Sequence, residues 1–186
     1  IINILSRFNK PDVKRALQAQ LRDNNKMIRS AALSALARMD GPIDVAAVCP
    51  LLRDMEIDVQ NRAIDVLIRA NDPDTIKHLI AVLKDENEYA RRAAVEVLNE
   101  IGDAKSVKFL LEAIKDDDWW VRSRAGDALG KIGGPKVMDA VLELARDKDD
   151  DIRGAAIEIL NQTQDERAVH QLLAATKEKD WWVCER

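Results

Sequence analysis

Glycine and proline are scarce, seven and five in 186 residues, which leaves little material for the turns of an all-β fold. Aromatic residues make up only 4%, and many strands would need more of them. Two cysteines, Cys49 and Cys184, cannot build a disulfide framework, so a reducing, cytoplasmic setting is expected. Two histidines are too few for a histidine-rich metal site. No apolar run approaches the roughly 18 residues of a membrane span, so no membrane association is expected. Neither sign of charge dominates: 29 basic against 33 acidic residues give −4 and a pI near 5.3, which excludes a globally basic nucleic-acid binder. What is present is 47% apolar and 33% charged sequence, the balance of a folding chain.

That material is periodic. Ile28, Val59, Ala90, Val121, Ile152 and Val183 stand 31 residues apart without slippage. Counting each as offset 0, Ala32, Ala63, Ala94, Ala125 and Ala156 occupy offset 4, and Leu36, Leu67, Leu98, Leu129 and Leu160 offset 8. Val48, Leu79, Leu110, Val141 and Leu172 form a further apolar register. An acid recurs at offset 26 behind a basic residue: Arg53-Asp54, Lys84-Asp85, Lys115-Asp116, Arg146-Asp147, Lys177-Glu178. Residues 28–58, 59–89, 90–120, 121–151 and 152–182 are therefore full copies, 1–27 a partial one and 183–186 the stub of another. Phase places both chain ends inside copies, which leads us to expect a segment of a longer protein.

Each copy reads as two helices. Apolar offsets 0, 4, 7, 8 and 11 mark one face of the first, and offsets 17, 20, 21 and 24 one face of the second. Asn25, Asn87, Asp118, Asp149 and Asp180 can cap first helices, with Glu56 the weak exception. Asp40-Gly41, Asn71-Asp72, Gly102-Asp103 and Gly133-Gly134 can stop them. Pro42, Pro73 and Pro135 are expected in the first turns of second helices, and Pro50 should kink the one it interrupts. Helices of about 12–14 residues on short turns must lie antiparallel, and no pair can bury both faces alone. The expected fold is all-α, a right-handed α-solenoid forming one domain over residues 1–186.

The stretch DDDWWVRSRAGDALGKIGG, followed by AVLELARD, resembles the short HEAT-like repeat of the phycobilisome-lyase type, and the resemblance covers essentially the whole chain. It implies a curved helical scaffold whose second helices line the concave face. It also admits a bilin lyase or chromophore-protein chaperone subunit. The related deoxyhypusine hydroxylases carry paired His-Glu motifs, whereas His78 and His170 are followed by Leu79 and Gln171.

No phosphate-binding glycine loop, nucleophile elbow or Cys-His spacing is present, so no catalytic residue, metal ligand or cofactor is expected. Cys49 falls on an apolar face and reads as core. Arg29, Arg91, Arg122 and Arg153 at offset 1 are expected to pair with the acids at offset 26, and Gln60 to interrupt that ladder as a weak point. Gly126 and Gly130 permit either close packing or a flexible joint. Offsets 18 and 19 of the second helix point away from the core and hold Lys77, His78, Lys108, Phe109, Asp139, Ala140, His170 and Gln171, a composition suited to a peptide. Lys105, Lys136 and Arg167 flank them, but Asp74, Glu112, Asp139 and Glu143 break the basic stripe and argue against nucleic acid. Tyr89, Trp119 and Trp120, with Trp181 and Trp182, lie in first-helix first turns. There they either pack between copies or anchor a partner. The leading reading is a non-enzymatic, monomeric scaffold for another protein, with end-to-end contacts possible through the cut ends.

Overall fold

The computed structural model describes residues 2–5, 7–8, 10–163 and 166–175, and every regular element among them is helical. These are α1 (Ile2–Leu5), α2 (Pro11–Gln20), α3 (Lys26–Leu36), α4 (Val45–Val48), α5 (Ile57–Ala70), α6 (Thr75–Val82), α7 (Glu88–Ile101), α8 (Val107–Ala113), α9 (Trp119–Ile132), α10 (Pro135–Leu144), α11 (Asp150–Thr163) and α12 (Glu166–Ala175). First helices of the copies are α3, α5, α7, α9 and α11; second helices are α4, α6, α8, α10 and α12. The fold is the expected α-solenoid. By compactness it divides into two units, one up to Val97 and one from Leu98, a division that falls inside α7.

The registers read from the sequence are the core. At offset 4 all five alanines are fully buried, and at offset 8 the five leucines are no more than 1% exposed. Val48, Leu79, Leu110 and Val141 are equally closed off. Each buried leucine contributes about 1.5–3 kcal/mol relative to an exposed one, so stability accumulates copy by copy. In the first unit α3 packs on α5, and second helices lean on the following first helix, α2 on α3 and α4 on α5. The second unit repeats this with α9 on α11, α8 on α9 and α10 on α11. Close approach explains Gly126 and Gly130. A Cβ at Gly126 would lie 3.3 Å from Cγ1 of Ile159, and one at Gly130 would lie 2.5 Å from Oε1 of Gln162.

Caps and stops follow the sequence closely. Asn25, Asn87, Asp118 and Asp149 accept N–H bonds from first-turn residues, while Glu56 makes no side-chain cap bond. Asn71 adopts the left-handed conformation, as does Gly102 with positive φ, and these end α5 and α7, whereas α3 stops at Leu36, ahead of the expected Asp40-Gly41, and Gly41 takes its positive φ in the turn that follows. The proline expectation needs correction. Only Pro135 occupies a first turn. Pro42 precedes a helix whose start is taken by Asp44, which accepts the Ala46 N–H. Pro73 sits in a separate turn closed by the Thr75 N–H on the Asp72 carbonyl. Second helices are consequently shorter than expected, 4 to 10 residues in the copies described. Pro50 ends α4 and turns Cys49–Arg53 into a 3₁₀ segment, because it cannot donate the next α-helical bond.

Polar bonds at the turns between copies recur as strictly as the apolar registers. Asp23, Asp54, Asp85, Asp116 and Asp147 each accept the backbone N–H two residues on, at 2.7–3.1 Å. Six residues after the acid comes the offset-1 arginine. Arg29, Arg91, Arg122 and Arg153 each donate Nη1 to the carbonyls five and six residues behind, at 2.8–3.2 Å. The expected pairing with the next acid forms in full at Arg29, whose Nε and Nη2 donate to Asp54 at 2.7 and 2.8 Å. A second rung joins the residue before the acid to the acid of the following copy: Arg53 to Asp85, and Lys115 to Asp147 at 3.7 Å. Gln60 does not weaken the series. It is 5% exposed, and its Nε2 donates to the carbonyls of Leu52 at 2.7 Å and Tyr89 at 3.3 Å.

These bonds set the response to acid. Burial pushes the Asp54 carboxyl up, but the Arg29 bond and the Glu56 N–H outweigh it and hold it below its ordinary 3.8. Asp85 is lowered by Arg53 and the Asn87 N–H, and Asp147 chiefly by the Asp149 N–H. A carboxylate lowered in the folded state stabilises above its ordinary pKa and loses that contribution as pH falls through the folded value. Asp54→Asn should cost about 2 kcal/mol at pH 7 in urea unfolding. Its deficit against the parent should close as pH drops below the ordinary carboxylate range; a pH-independent deficit would refute the ion pair's contribution. Gln60→Leu removes both bonds and leaves the buried Leu52 carbonyl without its amide donor, which should cost about 1–2 kcal/mol at constant m. An unchanged urea midpoint would show that Gln60 bridges nothing of consequence.

Candidate functional site

Second helices carry one register that is open in the four copies where its side chain is described. Ala46 on α4, Lys77 on α6, Lys108 on α8 and Asp139 on α10 are exposed at offset 18. The next register is more enclosed than expected: Ala47, His78, Phe109 and Ala140 are half-buried. In the first unit α4 also touches α6. Phe109 is thus not the freely exposed aromatic that the spacing suggested.

Ion pairs tie these positions down. Nζ of Lys77 lies 2.8 Å from Asp74, one turn earlier on the first unit's α6. In the second unit Arg167 of α12 donates to Asp139 of α10 at 2.8 Å. Two of the residues expected to break a basic stripe are therefore partners of basic side chains. His170 and Gln171 lie on α12, and their side chains fall outside the described residues, as do Trp181, Trp182 and Cys184 entirely.

The aromatic positions divide. Tyr89 is exposed, with the guanidinium of Arg92 over its ring at 5.3 Å. Trp120 is half-buried, with Arg124 over it at 5.6 Å. Trp119, the first residue of α9, is 66% exposed and so does not pack between copies as its flank position suggested. Exposed apolar side chains also occupy the starts of first helices in the first unit, Met27, Met55 and Ile57, a feature the aromatic count alone does not reveal.

Elsewhere the chemistry is quiet. Cys49 is buried, and loss of hydration pushes its thiol up to about 12, far from a reactive thiolate. Among the described residues no three His, Cys, Asp or Glu side chains gather as metal ligands would, and no helix is long and apolar enough to cross a membrane.

A sequence profile described as HEAT repeats matches residues 45–125 and again 107–186. No curated protein matches the chain. Several solved structures share the fold. The X-ray structure of YibA of E. coli is 19% identical, with a TM-score of 0.58 over 96% of this chain and 70% of that one. The CpcE–CpcF complex of phycocyanin lyase from Nostoc sp. is 17% identical, with a TM-score of 0.55 over 90% and 71%. A chain in a structure of Kap95p with RanGDP is 18% identical, with a TM-score of 0.65 over 98% of this chain and 31% of that one. Matched by the profile over most of its length, and built of the same helix pairs, the chain belongs to the HEAT-repeat family.

Proposed function

We propose that the chain is a non-enzymatic protein-interaction scaffold that takes another protein or peptide on its second helices. One observation carries this reading. Offset 18 is exposed in the four copies where its side chain is described, and its chemistry changes from Ala46 to Lys77, Lys108 and Asp139, while Val48, Leu79, Leu110 and Val141 two residues on stay buried. A fixed framework that presents a variable side chain at a fixed spacing is how repeat arrays build recognition. Lys77 and His78 would contribute from the first unit. Lys108, Phe109, Asp139, His170 and Gln171 would contribute from the second. Two structures of like fold are of complexes, Kap95p with RanGDP and CpcE with CpcF.

Charge reversal tests it. Lys77→Glu with Lys108→Glu should weaken binding of a prey captured from host lysate by about tenfold or more, with thermal midpoint unchanged. An identical prey set at equal affinity would overturn the second-helix surface. The alternative, a subunit that handles bilin, predicts a change in visible absorbance when phycocyanobilin is added to the protein; the scaffold reading predicts none.

A further inference from the structure

The turn from α3 to α4 holds the sequence's single Asp-Gly pair, Asp40-Gly41, and no Asn-Gly pair occurs. Both residues are exposed, at the start of a stretch, 40–44, that lies in no helix. Gly41 has φ +82°, and a Cβ there would meet only Nζ of Lys14, at 3.7 Å. Among the described residues no backbone acceptor takes the Gly41 N–H. Lys14 reaches across from α2 and donates Nζ to the carbonyls of Asp40 and Pro42, at 2.9 Å each.

Other aspartates in turns between helices of one copy are held differently. Asp44, Asp72 and Asp103 each accept the backbone N–H two residues on, at 2.8–3.1 Å. The residue two after Asp40 is Pro42, which has no N–H, so that restraint cannot form. Asp72 precedes Pro73, whose nitrogen has no proton to lose, while Val45 and Ala104 place a side chain beside the nitrogen that follows Asp44 and Asp103. Only at Asp40 is the next nitrogen both protonated and unhindered. The Asp40 carbonyl belongs to the same peptide unit as that nitrogen, and resonance shares charge between the two atoms. When the nitrogen gives up its proton, negative charge develops on the oxygen that already accepts the Lys14 ammonium, and a cation there lowers the cost of forming it.

We propose that Asp40-Gly41 is a site of spontaneous backbone modification, in which Lys14 promotes closure of Asp40 to a succinimide and its conversion to isoaspartate. The Gly41 nitrogen loses its proton and bonds Cγ of the Asp40 carboxylic acid, and the Cγ–OH bond breaks, so that proton and hydroxyl leave as one water. Both reacting groups belong to adjacent residues, so the closure is intramolecular. Water then reopens the ring. Cleavage at Cγ restores aspartate; cleavage at the main-chain carbonyl carbon leaves the chain running through Cγ. The isoaspartate lengthens the backbone by a methylene beside the two carbonyls that hold Lys14, and so loosens the tie between α2 and this turn. The site does not rest on the second-helix reading above.

Incubation of the full chain at physiological temperature and neutral pH, followed by trypsin, releases Met39–Arg53 as the reporting peptide. Isoaspartate should accumulate there, read by methyl transfer from an isoaspartyl methyltransferase, and heavy-oxygen water should label the same peptide. A synthetic peptide of that sequence sets the unassisted rate. The folded chain should isomerise several-fold faster than this peptide. Lys14→Met should bring the folded rate down to the peptide's or below, and Lys14→Arg, which keeps a cation on the carbonyl, should retain most of the acceleration. In urea all three chains should react alike. The comparison of the parent with the peptide needs no variant, which keeps the test decisive if Lys14→Met unfolds. A parent rate at or below the peptide's, a Lys14→Met rate equal to the parent's, or earlier isoaspartate at another aspartate would each overturn the proposal.

Discussion

A second helix must hand the chain to the next first helix within a few residues, and the guanidinium bridging that turn is what the array depends on. Arg29, Arg91, Arg122 and Arg153 each return to the two carbonyls five and six positions behind, carbonyls that have left one helix and not joined the next. The acid that opens the turn takes an N–H from the same stretch. Three polar groups of the turn, one N–H and two carbonyls, are thus partnered inside it. Hydrophobic registers say which helix faces meet, and the arginine says where the next helix starts.

Much of this was legible because it repeats. A period of 31 makes each register an independent reading of the same environment, and five alanines or leucines at one offset leave little room for another arrangement. Capping residues were legible for a local reason: a side chain and the N–H it accepts are two or three positions apart. Second-helix starts were harder: Asp44 competes with nearby Pro42 for the start of α4, and its carboxylate wins by accepting an N–H, while Asp103 caps only a short 3₁₀ turn ahead of α8.

Side chains whose surroundings come from another copy were the least legible. Trp119 reads identically in sequence whether covered or bare, and the fold leaves it 66% exposed. Gln60 read as a gap in a series of arginines, but a shorter amide in a closed site reaches carbonyls on both sides. Offset 19 was expected to look outward, yet His78 is half-buried.

Pro50 has a consequence of scale. A 3₁₀ segment rises about 2.0 Å per residue against 1.5 Å in an α-helix, so the five residues Cys49–Arg53 reach about 2.5 Å farther than an unbroken helix would. That reach ends at Arg53, whose guanidinium meets Asp85 and donates to the Ala81 carbonyl at 2.8 Å. Residue count and local reach are thereby uncoupled, so one proline lengthens this segment without an insertion that would shift every register after it.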